Sequence, residues 1–238
     1  MNFYRRSEHT PELERTLAAY DREILQLLGP DYPFPVRMRD WELGRVLAST
    51  AGLGRDARIL DTGAFNTYLG LYLSRRHAAV TVSDLLRDRA LKSALRRLGL
   101  APAKPTEAGY LGWHRAMRRH GLAVRHIDLT RINLPDGSFD CIISLSVLEH
   151  IPAIERALAE MYRVLAPGGR LLITTDCSPE PVPFAAGVRY FSVDELDRLF
   201  AGYPVTSMRN RPDFARENWC YGGRAPVVTS FVEITKPR

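Results

Sequence analysis

A chain of 238 residues with 45% hydrophobic residues is long enough to bury a substantial core. No run approaches the roughly 18 apolar residues of a membrane span, and the opening MNFYRRSEHT lacks the apolar stretch of a signal peptide, so one cytoplasmic domain with no membrane contact is expected. The net charge of +6 suggests nucleic acid, but 30 of the 33 basic residues are arginine, an imbalance that base composition explains as readily as a phosphate-binding face.

Cys141, Cys177 and Cys220 are far apart and show no C-x-x-C spacing, which argues against a disulfide framework or a zinc site. No metal is expected. Thr10-Pro11-Glu12 starts a helix with an N-cap hydroxyl and proline at the first helical position, and Leu13, Leu17, Tyr20, Ile24 and Leu27 follow at helical spacing to Gly29. After the proline-stiffened DYPFPVRM, Asp40 caps a second helix with the stripe Leu43, Val46, Leu47 and Thr50. The two helices either cover a sheet edge or close over a ligand crevice.

RILDTGAFNTYLGLYLS, residues 58–74, then reads as strand, tight turn at Gly63, and helix. In an open α/β sheet such a turn lies at the carboxyl end of a strand, where ligands bind. AAVTVSD is a β-branched run ending in Asp84, 23 residues after Asp61. An acid at the end of the second strand suits ribose hydroxyls, and together with the turn it favours a nucleoside.

A long crossover follows, with a helix at Leu91 to Leu100, a loop APAKPTEAG, and a second helix near Tyr110 to His120 that carries Trp113. AVRHID ends the third strand at Asp128, and Phe139 to Ser146 reads as a strand buried on both faces. Ala153 to Leu165 is a helix closed by Pro167-Gly168-Gly169, GRLLITTD is the fifth strand, and Ser192 with Glu195 forms a capping box. Val205 to Met208 and Val227 to Ile234 have no helix between them, so an antiparallel pair at the sheet edge is expected.

LDTGA, the VSD strand end, HIDL, PDGSFDCIISLSVLEHI and EMYRVLAPGGRLLITT together resemble class I S-adenosylmethionine-dependent methyltransferases of the small-molecule branch. The resemblance covers about Arg58 to Asp176. It implies an α/β, doubly wound, Rossmann-like sheet of seven strands, six parallel and the last antiparallel. One domain over 1–238 is expected, with an N-terminal helical cap at 1–55 and a catalytic core at 56–238 holding an inserted segment near 99–121.

The resemblance assigns Asp61, Thr62, Gly63, Ala64 and Phe65 to the methionine and ribose part of S-adenosylmethionine and Asp84 with Leu85 to the ribose hydroxyls. It gives Asp128 and Leu129 to the adenine, and Ser144 and Leu145, with Ser146 beyond them, to the sulfonium. Phe65 stands where the family has a second glycine, which restricts the backbone there. Arg39, or Arg37, is expected to pair with the cofactor carboxylate through its planar fork.

A sulfonium methyl is already electrophilic, so alignment supplies most of the acceleration and a base is optional. His150 is the candidate base, since histidine titrates near neutral pH; a histidine merely bonded at a helix start is the competing reading. Glu149 reads as a helix-start carboxylate. The acceptor is expected to be a small molecule between the N-terminal helices and the inserted segment, against Tyr20, Trp41, Tyr110 and Trp113.

The lack of G-x-G-x-x-G after a strand, and of room for a second catalytic domain, argues against a nicotinamide dehydrogenase. Base amino-methylases carry an acid or amide before Pro-Pro and an aromatic where this chain has SLSV, which leaves RNA as an alternative acceptor, beside a noncatalytic scaffold with the same fold. The sequence leaves the oligomeric state open.

Overall fold

The computed structural model describes residues 1–29, 39–65, 67–85, 105–185, 187–207, 209–217 and 226–238, with backbone alone over 105–111. The helix expected at Leu91 to Leu100, Arg37, Cys220 and the Tyr110 side chain lie outside the described parts. Seven strands form one sheet: β1 (Asn2–Phe3), β2 (Arg58–Thr62), β3 (Ala79–Asp84), β4 (Ala123–His126), β5 (Phe139–Leu145), β6 (Leu165–Cys177) and β9 (Val228–Thr235). A separate two-stranded ribbon pairs β7 (Val182–Ala185) with β8 (Val188–Tyr190).

The sheet order is β1-β9-β6-β5-β2-β3-β4. Strands β2 to β6 are parallel to one another, and β9 runs antiparallel to both β6 and β1. Six strands therefore point one way and the last strand in the chain opposes them. Register brings Asp61 opposite Val82 and Thr62 opposite both Ser83 and Ser144. The carboxyl ends of β2, β3 and β5 thus finish level. β5 is buried along nearly all of its length, as an interior parallel strand covered on both faces must be.

Helices α1 (Pro11–Leu28), α2 (Asp40–Thr50), α3 (Leu69–Ser74), α4 (Pro105–Arg119), α5 (Ile154–Val164) and α6 (Val193–Phe200) flank this sheet. Their ends follow side-chain chemistry. The Leu13 N–H donates to the Thr10 hydroxyl, and the Gly29 backbone turns to φ 78° after α1. Ser192 and Glu195 exchange both capping-box hydrogen bonds, and Phe191 and Leu196 are buried beside them. The orphan carbonyls after α5 are met by Lys236, whose ammonium donates to the carbonyls of Tyr162 at 2.9 Å and Leu165 at 2.8 Å.

Four sequence expectations change. The N-terminus supplies a strand ahead of its two helices: Asn2 and Phe3 pair with Phe231 and Ser230. β9 is accordingly an interior strand, and Val205 reaches it only as an isolated antiparallel bridge to Ile234. Helix α4 begins at Pro105 instead of near Tyr110, because proline suits a first helical turn. Asp40 is the first residue of α2, with Arg39 at the cap. Among the described residues, no helix is long and apolar enough to cross a membrane.

Candidate functional site

At the end of β2 the chain turns through Gly63, which has φ 58°. A Cβ there would meet Val147 Cγ2 at 2.5 Å, so both conformation and space demand glycine. The turn is held from both sides. The Ala64 N–H donates to the Ser83 carbonyl at 3.0 Å, and the Phe65 N–H donates to Asp84 Oδ2 at 3.3 Å. The expected pair of strand-end acids is therefore adjacent to the turn, with Asp84 gripping its backbone.

Asp61 is buried, and its Oδ2 accepts the Gly70 N–H at 3.1 Å in the first turn of α3. Burial pushes its carboxyl up to about 7, the Gly70 N–H opposes this, and the nearby charge of Asp84 adds to it. Gly70 permits the approach, since a Cβ on it would lie 2.2 Å from Val82 Cγ1. Sequence reading passed over this second glycine. Its spacing from Asp61 offered a signal only once the helix start was known.

Phe65 turns its ring edge-on to Trp113, with centroids 6.1 Å apart. Trp113 is fully buried and its Nε1–H donates to the Thr67 carbonyl at 2.8 Å, so α4 pins the downstream arm of the turn. Trp113 is thus a packing residue. Tyr20 and Trp41 are buried as well, Tyr20 against Tyr72 with centroids 5.0 Å apart and Trp41 donating to Glu8 at 2.6 Å. These three rings form core rather than the acceptor pocket expected of them, because their surface is spent inside the fold.

The other residues assigned by resemblance fall around the same strand ends. The Thr62 hydroxyl donates to the Ile143 carbonyl at 2.9 Å, Ser144 and Leu145 are buried on β5, and Leu85 is 47% exposed. Asp128 is exposed and accepts from the Thr130 N–H and hydroxyl, which hold its carboxyl below the usual range, while Leu129 is buried.

A second cluster stands at the ends of β5 and β6. Arg39, just before α2, donates to Glu42 Oε1 at 2.8 Å and to the Ser146 hydroxyl, and lies 3.7 Å from Asp176. The Ser146 hydroxyl donates to Glu42 Oε2 at 2.8 Å, and its N–H donates to the Thr174 hydroxyl at 2.9 Å. The Thr174 hydroxyl itself donates to Glu42. Ser146 has φ 50°, a left-handed conformation that these bonds hold in place.

Glu149 and Asp176 are both 1% exposed beside this network, Glu149 accepting from the Thr175 hydroxyl at 3.0 Å and Asp176 from Thr229 at 3.1 Å. Burial raises the carboxyl pKa of Glu42, against the pull of Arg39. Burial and then Asp176 raise Glu149 to about 8. Burial pulls the Arg39 guanidinium down, and the surrounding carboxylates more than offset this.

Arg39 therefore lies among buried carboxylates at the ends of β5 and β6. Glu149 stands in the first turn of the short 3₁₀ helix Leu148–His150, as a helix-start carboxylate does, and it is buried there. Glu42 and Asp176 escaped sequence reading altogether, although hydroxyls followed by an acid at the end of a strand, as in Thr174-Thr175-Asp176, were a usable signal. His150 is exposed, and its Nδ1–H donates to the Gly187 carbonyl at 2.8 Å in the β7–β8 ribbon. It makes no hydrogen bond to the buried carboxylates among the described residues. His9, Glu14 and Asp40 place ligand-type atoms within 4.8 Å of one another, with His9 Nε2 2.5 Å from Glu14 Oε1.

Residues 60–173 match the family model described as a methyltransferase domain. The ubiquinone/menaquinone biosynthesis C-methyltransferase UbiE of Methylobacterium nodulans is 62% identical over 70 residues, which are 29% of this chain and 23% of that protein. Rv1403c of Mycobacterium tuberculosis is 30% identical over 173 residues, 72% of this chain and 56% of that protein. The chain thus spans about half or less of the length of these curated relatives.

Among solved structures, Burkholderia thailandensis 1,6-didemethyltoxoflavin-N1-methyltransferase, bound to 1,6-didemethyltoxoflavin and S-adenosylhomocysteine, aligns with TM-score 0.57 at 20% identity. That alignment covers 96% of this chain and 91% of the other, and shows a shared fold.

Proposed function

We propose, from the premise that this chain carries a class I S-adenosylmethionine-dependent methyltransferase domain with S-adenosylmethionine as its cofactor, that it methylates an oxygen or nitrogen of a small-molecule acceptor. The observation that carries this reading is the left-handed Gly63 turn between two strand-end acids, with the Asp84 carboxylate bonded to the turn's own Phe65 N–H. The donor set suits the cofactor. Carboxylates accept from hydroxyl and ammonium groups, and glycine at 63 keeps the turn free of a side chain that would strike Val147.

In this reading Asp61 to Phe65 and Asp84 with Leu85 hold the methionine and ribose part, and Asp128 with Leu129 flanks the adenine. Ser144 and Leu145 lie toward the reacting end. The bound cofactor supplies a methyl group already activated on sulfonium. The chain's own work is to orient the acceptor and exclude water, which is enough to carry most of the acceleration. The printed names of UbiE and the toxoflavin methyltransferase, both acting in small-molecule chemistry, support the acceptor class.

Incubation with S-adenosylmethionine labelled in its methyl group and a fractionated extract of the source organism tests the reading. Label is expected in the fraction of small metabolites. Label confined to RNA or protein would overturn the acceptor class.

A further inference from the structure

Of the buried acids at the ends of β5 and β6, Glu149 alone keeps an oxygen without a hydrogen bond from another described residue. Glu149 is 1% exposed, one of its oxygens takes the Thr175 hydroxyl, and the other, Oε1, has no hydrogen-bond partner among the described residues. No described cation forms a direct ion pair with Glu149: Arg39 is bonded to Glu42 and Ser146, and its charge acts on Glu149 only from beyond that distance, without overcoming burial and Asp176. A buried carboxylate with an unmet oxygen is costly unless something pairs with it.

The Arg39 side chain is 31% exposed and Ser146 is half-buried, so the outer side of the network reaches solvent while the carboxylates lie beneath. Ser146 follows directly on β5, whose Ser144 pairs with Thr62 at the foot of the Gly63 turn. The acids therefore sit one strand away from the cofactor end, where an acceptor has to be presented.

We propose that the acceptor carries a positively charged nitrogen, a protonated amine or ammonium group, seated against Glu149 and Asp176 at the ends of β5 and β6. This rests on the methyltransferase reading above and narrows its acceptor class. A cation there meets Glu149 Oε1 and offsets the mutual repulsion of Glu42, Glu149 and Asp176, the same repulsion that, with burial, holds Glu149 above the ordinary carboxylate range. Without a cation Glu149 stays largely protonated at neutral pH; a cation draws it into its charged form, which an anionic acceptor cannot do.

The test is calorimetric titration of the full chain, saturated with S-adenosylhomocysteine, with phenethylammonium and with the size-matched anion 3-phenylpropionate. Saturable binding of the ammonium probe and none of the anion is expected. Glu149→Gln should weaken the ammonium probe by roughly tenfold or more, the scale of a lost charge-assisted hydrogen bond, with affinity for S-adenosylhomocysteine unchanged. If that variant does not fold, Asp176→Asn carries the same expectation, and the wild-type comparison of the two probes depends on neither.

Preference for the anion, binding of neither probe, or an ammonium site that S-adenosylhomocysteine displaces would each overturn the proposal, the last by assigning the cation to the cofactor. A chain that fails to bind S-adenosylhomocysteine refutes the methyltransferase reading instead, which the first titration of the series reveals separately.

Discussion

The two clusters at the strand ends solve opposite problems. At β2 and β3, backbone does most of the work: a left-handed glycine, the Ala64 N–H on the Ser83 carbonyl, and the N–H groups of Phe65 and Gly70 on Asp84 and Asp61. At β5 and β6, side chains bond to side chains, and Arg39, Glu42, Ser146 and Thr174 form a closed network that ties α2 to the sheet. A backbone site is cheap to keep folded and strict about shape. A buried charge network sets charge selectivity and couples it to stability.

The largest expected effect lies at the backbone end. Asp61 has a folded carboxyl raised to about 7 from 3.8, so its contribution favours folding at low pH and is lost as pH rises between about 4 and 7. Asp61→Asn lacks this slope. Denaturant unfolding should show the variant gaining on the wild type by up to about 4 kcal/mol between pH 4 and pH 8. Parallel pH profiles for the two proteins would show that Asp61 is not a buried titrating group.

Arg39→Met probes the other end and leaves buried carboxylates without their guanidinium. A stability loss of about 3 kcal/mol is expected by urea unfolding at neutral pH. Intact stability together with weakened cofactor binding would move Arg39 to the cofactor end, as its sequence position first suggested.

How far each end was legible follows from this difference. Strand-end acids and a glycine turn leave local marks, so Asp61, Gly63 and Asp84 stood out in the sequence, and the structure places them together. The parallel core was equally legible, because buried strands such as Phe139 to Leu145 are continuous apolar runs. The acid network was not, since Glu42 and Thr174 are 132 positions apart and meet only through packing of α2 on the sheet. The strand at Asn2 and Phe3 is two residues long and owes its existence to the exposed edge of β9, which no local pattern announces. Trp113 and Tyr20 are amphipathic enough to suit pocket or core alike, and only burial decides between them.

Asp84→Ala sharpens the comparison by removing the carboxylate that bonds the turn's Phe65 N–H. It should weaken S-adenosylmethionine binding by about 1.5 to 3 kcal/mol and leave the ammonium site untouched. The smallest effect belongs to Trp113→Phe, which keeps one aromatic ring but loses the hydrogen bond to the Thr67 carbonyl and part of the buried indole's packing. A stability loss of about 1 to 2 kcal/mol is expected from thermal or urea unfolding. No change would mean that α4 does not hold the turn.

The measurement closest to the central claim is calorimetric titration of the unaltered chain with S-adenosylmethionine. Saturable binding at one site per chain is the predicted result, abolished or much weakened by Gly63→Val, whose side chain would drive the turn into Val147. Absence of binding to the folded wild-type chain, or equal binding by the Gly63→Val variant, would contradict a cofactor site built on the Gly63 turn.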